Sequence, residues 1–129
     1  MCLYIDKKKT EAEFKDHSVR VFIKVFFKKD KGLLTPYMKY AVPGPGVYTA
    51  PESRKPFTDM VGDGAFHART ELNAIKQDLF WIEQFDLGTP VILKVTVKAE
   101  DLIAFGNQDN VAYKTFEITK EDWDNPLKK

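Results

Sequence analysis

Val19-Arg20-Val21-Phe22-Ile23-Lys24-Val25-Phe26-Phe27-Lys28 alternates with a period of two and is rich in β-branched and aromatic side chains. That pattern belongs to a β-strand lying on a pleated, half-buried surface. Val19, Val21, Ile23, Val25 and Phe27 make the odd face, which is expected to be core. Arg20, Phe22, Lys24, Phe26 and Lys28 make the even face, whose two phenylalanines among charges predict half coverage.

Working outward, residues 29–32 predict a turn in which Gly32 can take a positive φ. A second strand is expected over 33–42, bent or at an edge where Pro36 removes a ladder donor. Pro43-Gly44-Pro45-Gly46 ends it, and 47–50 is a short strand at best. Residues 51–64 form the longest irregular stretch, which predicts a binding loop or disorder. Ala65-Phe66-His67-Ala68 reads as a short buried strand. A helix is expected over 70–85, because Leu72, Ile75, Leu79 and Ile82 recur on one face, with Thr70 as its cap and Gly88 and Pro90 as its stop. Val91, Leu93, Val95 and Val97 define a second strong strand over 91–99. A last strand is expected over 111–118, then one helical turn capped by Thr119.

The expected fold class is α+β: a twisted antiparallel sheet, or a partly open barrel, with one main helix packed on it. At 129 residues the chain is one domain, with 1–18 and 120–129 as peripheral tails. Lys plus Arg is 20 and Asp plus Glu is 19, so the net charge of +1 gives no global push toward nucleic acid or a membrane surface. Cys2 is the one cysteine, which excludes an internal disulfide and a multi-thiolate metal site. The chain has no apolar run of membrane-spanning length, and its first lysines follow the apolar residues, the reverse of a signal peptide. A cytoplasmic location is therefore expected.

No Gly-x-Ser-x-Gly elbow, phosphate-binding Gly-x-x-x-x-Gly-Lys loop or His-Glu-x-x-His motif occurs. No catalytic residue, metal site or cofactor is assigned. His17 reads as surface, while His67 is either a buried histidine bonded to a carbonyl or a ligand-binding one. The chain has only three arginines, Arg20, Arg54 and Arg69, all in its first 69 residues. Arginine grips phosphate or carboxylate with a rigid fork, and aromatics stack on bases. Arg20, Tyr37, Tyr48, Arg54, Phe66, His67 and Arg69 are therefore the candidate ligand-binding set. The plain alternative is three arginines in ordinary pairs with the acids.

Met1-Cys2-Leu3, the valine-rich first strand, Leu34-Thr35-Pro36-Tyr37, Gly46-Val47-Tyr48 and Gly64-Ala65-Phe66-His67-Ala68 before a helix form an ordered series. The series resembles a loose family of small uncharacterised proteins of phages and gut bacteria with Ser/Thr-Pro-Tyr, Gly-x-Tyr and Gly-Phe-His-Ala-like elements. This chain departs in carrying Ala65 between Gly64 and Phe66. The resemblance implies a phage or prophage setting, hence the host cytoplasm, and leaves the activity open; small phage proteins of this size with a sheet and one helix are often counter-defence proteins. It points toward non-enzymatic sponges that hold a nucleotide signal, as anti-Thoeris and anti-CBASS proteins do. The Gly-Phe-His strand before a helix is also similar to parts of ADP-ribosyltransferase-type folds, which implies an enzyme using His67 and Glu117. A third expectation is a protein that inhibits a host complex through an exposed sheet edge or through its Phe-rich face carrying Phe22 and Phe26, or forms a homo-oligomer through that face.

Overall fold

The computed structural model describes residues 3–4, 19–29, 32–35, 40–50, 60–61, 65–106 and 110–128. Eleven strands are described: β1 Leu3–Tyr4, β2 Val19–Lys29, β3 Gly32–Leu34, β4 Ala41–Val42, β5 Gly46–Thr49, β6 Met60–Val61, β7 Phe66–Arg69, β8 Thr89–Lys98, β9 Leu102–Phe105, β10 Asn110–Tyr113 and β11 Thr115–Ile118. Helix α1 spans Lys76–Gln84, entered through a 3-10 turn at Leu72–Ile75, and α2 spans Lys120–Asp124. The class is α+β: an antiparallel sheet with one main helix.

Nine strands form one open sheet in the order β5-β11-β8-β2-β7-β10-β9, with β3 beside β2 and β4 beside β3. Of the two architectures expected, the open sheet is the one present. β1 and β6 pair separately, Leu3 with Val61 and Tyr4 with Met60. The spine is β2 against β8, in continuous register from Val19 opposite Lys98 to Lys28 opposite Thr89. These are the two segments with the clearest period-two pattern. No helix among the described residues is long and apolar enough to cross a membrane.

Curvature sets up everything else. Lys114 alone joins β10 to β11, yet β7, β2 and β8 stand between them in the sheet. Four strand spacings would be about 19 Å in a flat sheet, whereas two residues reach about 7 Å. The sheet must therefore curl strongly. Its concave face encloses Phe22, Phe26, Phe66, Phe105, Tyr113 and Phe116, all at 1% exposure or less. Its convex face carries α1, which sets Ile75, Leu79 and Ile82 against Val25, Phe27 and Ile92.

Several expectations change. The even face of β2 is buried at Phe22, Lys24 and Phe26, whereas the odd face is core only at Val25 and Phe27, with Val19 and Val21 about half exposed, at 50% and 55%. Helix α1 is too short to cover the start of β2, and the concave face closes over its aromatics. Phe22 and Phe26 thus offer no exposed face to a partner. The predicted strand over 33–42 is a hairpin, with Leu33 opposite Val42 and Leu34 opposite Ala41. Its loop is closed by the Thr35 amide on the Tyr40 carbonyl and the Tyr40 amide on Thr35 Oγ1. Pro36 lies in that loop, outside the described residues. Gly32 opens β3 and is not at positive φ. The predicted last strand is two strands, broken at Lys114, whose amide donates to the Asp101 carbonyl and whose carbonyl accepts from Ala50. The main helix begins after Thr70, with no side-chain cap at its start, and Leu72 is exposed. The expected cap at Thr119 is present: its Oγ1 accepts from the Asp122 amide at 3.1 Å.

Candidate functional site

Strand β2 changes neighbours halfway along. Ile23 pairs with Arg69 of β7, and from Phe27 onward the same edge pairs with β3. Lys24 stands where these neighbours diverge. Its place on the even face turns its side chain into the concave side, where it is 5% exposed. The ammonium donates to the His67 carbonyl of β7, in place of a ladder bond at the fork. It lies 5.7 Å from the Phe26 ring centre and 5.9 Å from that of Phe66, so two π faces partly solvate it. Among the described residues no carboxylate makes an ion pair with it, and the carbonyl of His67 takes one of its three donors.

Across the sheet sits a buried charge pair. Strand alternation turns Phe66 and Ala68 to the concave core and Arg69 toward α1. There Arg69 grips Asp78 in a fork, Nε to Oδ2 at 3.0 Å and Nη2 to Oδ1 at 3.2 Å, and both residues are buried. This pairing gives Arg69 a structural partner within the fold. Burial lowers the Lys24 pKa from 10.5 to about 8; Asp78 acts against the shift and Arg69 reinforces it.

The aromatic wall beside the fork continues outward. Tyr40 stands edge-on to Phe66 at 5.1 Å and to Tyr48 at 6.3 Å, and both tyrosines are half-buried. Tyr48 lies against Phe116 at 5.4 Å, and its hydroxyl donates to the Gly44 carbonyl at 2.5 Å. Tyr113 closes the inner end. It is fully buried against Phe22, Phe66 and Phe116, and its hydroxyl has no hydrogen-bond partner among the described residues. Burial pushes that phenol well above its ordinary pKa.

Of the seven sequence candidates, Phe66, His67 and Arg69 share strand β7: Phe66 and the His67 carbonyl meet Lys24, and Arg69 faces α1 on the other side of the sheet. Tyr48 joins them through Tyr40. Arg20 lies elsewhere on the concave face, its guanidinium 5.4 Å from the Phe22 ring and 5.5 Å from the Phe105 ring. Tyr37, Arg54 and His17 lie outside the described residues, as does most of the 51–64 loop. His67 and Glu117 sit on β7 and β11, with β2 and β8 between those strands, and Glu117 is exposed. Among the described residues no three His, Cys, Asp or Glu side chains come together as metal ligands.

Sequence reasoning missed Lys24 and Asp78, and each carried a signal. Lys24 is flanked at two-residue steps by Phe22 and Phe26, so it had to share their burial once that face closed. Asp78 stands among Ile75, Leu79 and Ile82 on the helix's apolar stripe, where an acid requires a cation opposite. No protein-family model, curated protein or solved structure matches this chain.

Proposed function

We propose that this chain is a non-enzymatic binding protein that holds a small anion of the nucleotide class at the Lys24 fork. One observation carries the reading: the Lys24 ammonium is buried without a carboxylate partner among the described residues and with two of its donors unfilled. A buried charge needs both compensation and hydrogen bonds. A phosphate oxygen supplies both at once. The half-buried Tyr40 and Tyr48 beside Phe66 offer ring faces and edges of the kind that receive a base. The resemblance to small phage proteins supplies the setting, sequestration of a nucleotide signal in phage–host conflict.

Isothermal titration against a panel of cyclic nucleotides, with inorganic phosphate in parallel, tests this. Binding to at least one nucleotide is expected, weakened at least about tenfold in Lys24→Met, the loss of one charge-assisted bond. Circular dichroism establishes that the variant is folded. Silence across the nucleotides and phosphate, or full affinity in Lys24→Met, removes the proposal. Binding of phosphate alone keeps the anion site and removes the nucleotide.

A further inference from the structure

The outer face of α1 carries Phe80 and Trp81 on either side of exposed Gln77 and Gln84. Ile75, Leu79 and Ile82 point inward, and at 3.6 residues per turn Phe80 and Trp81 are carried to the opposite side. Phe80 is 63% exposed, Trp81 40% and Phe85 55%, and the Trp81 and Phe85 rings meet in a tilted contact at 4.4 Å. Aromatic clusters of this kind are the usual anchors of protein interfaces.

The charges of the same helix indicate what covers it. A helix favours acids at its start and bases at its end. Here exposed Lys76 opens α1, while exposed Glu83 lies in its last turn with Asp86 just beyond, and no basic residue occupies that turn. The last turn thus carries the less favourable sign, while the first turn holds Asp78 as well as Lys76. An antiparallel copy of the same helix, related by a twofold axis near Phe80, would bring Lys76 of each copy to Glu83 of the other. It would also oppose the two macrodipoles and bury Phe80 and Trp81 against their own equivalents. Such an arrangement is isologous and closed. A second copy therefore complements this face in charge and dipole together.

We propose that this chain forms a weak twofold dimer through the antiparallel pairing of α1, with Phe80 and Trp81 at its centre and Lys76–Glu83 pairs at its rim. A nine-residue helix is only about 13 Å long, so the interface is small and the affinity micromolar or weaker. Sedimentation velocity on the full chain, up to about 1 mM, reads the assembly. A concentration-dependent dimer is expected, and Phe80→Glu should raise its Kd at least about tenfold while circular dichroism is unchanged. Lys76→Glu should weaken the dimer yet raise the Tm of the monomer, since an acid suits the helix start. The double exchange Lys76→Glu with Glu83→Lys should restore pairing. A monomer at every concentration overturns the proposal. So does a dimer indifferent to Phe80→Glu, or a double exchange that restores nothing.

Discussion

Lys24 is kept charged at a position where the surrounding fold disfavours the charge. Lowering its pKa from 10.5 to about 8 corresponds to about 3 kcal/mol of destabilisation at neutral pH. The folded-state value lies below the unfolded one, so the unfolded chain binds more protons between pH 8 and 10.5. This residue's contribution to stability therefore rises with pH across that window, and below pH 8 the penalty is present in full. Lys24→Met keeps most of the volume and removes the charge. It is expected to be more stable than the native chain by about 1–3 kcal/mol at pH 7, with the difference shrinking as pH approaches 10.5. Urea denaturation of both proteins across that range measures it, and a variant less stable at pH 7 would show that the ammonium contributes net stability. A residue that costs stability fits the proposed binding role.

At the scale of the element, α1 ends in an unusual way. The Leu87 amide donates to the Ile82 carbonyl at 3.1 Å and the Asp86 amide to Glu83 at 3.2 Å, the bond pair of a Schellman cap. The left-handed residue in that cap is Asp86, at φ 48°, and not the glycine two positions on. Gly88 is required for a different reason. It stands at φ 157°, and a Cβ there would come within 2.4 Å of the Lys28 carbonyl oxygen at the end of β2. The two positions should therefore respond in opposite directions. Asp86→Gly is expected to stabilise by about 1 kcal/mol. Gly88→Ala is expected to cost about 2 kcal/mol or more. Thermal unfolding of the pair checks both, and a neutral Gly88→Ala would mean that β2 yields easily at Lys28.

At the scale of the whole molecule, two hydrophobic layers share one sheet. β2 supplies Phe22 and Phe26 to the concave core and Val25 and Phe27 to the convex one, so neither layer can loosen without it. Leu127 ties the tail to the convex layer, its amide donating to the Ile92 carbonyl at 2.7 Å. The two tryptophans report on opposite sides: Trp123 packs against the concave core, and Trp81 lies on the outer face of α1. Because both layers depend on β2, the domain is expected to unfold in one transition. In Trp81→Phe and Trp123→Phe, the remaining tryptophan's fluorescence should follow the same urea midpoint as circular dichroism. Separate midpoints within one variant would show that the helix layer melts by itself.

The sequence by itself determined the elements whose periodicity is local. The alternation of 19–28 and of 91–97, the stripe of Ile75, Leu79 and Ile82, and the Thr119 cap each depend on residues a few positions apart. Together they specify an antiparallel sheet with one main helix. What lies on each face of β2 was not legible, because Val and Ile on one side and Phe on the other make both sides apolar. Only the curl of the sheet decided that the phenylalanines go inside. The break at Lys114 and the hairpin at 33–42 were equally hidden, since each half satisfies a strand pattern and pairing partners lie far away in the chain. The site followed the same division. Phe66, His67 and Arg69 were recognisable by residue type on one short strand. Lys24 became part of the site only when β7 and β3 parted around it, which left a buried ammonium at a gap that long-range strand pairing creates.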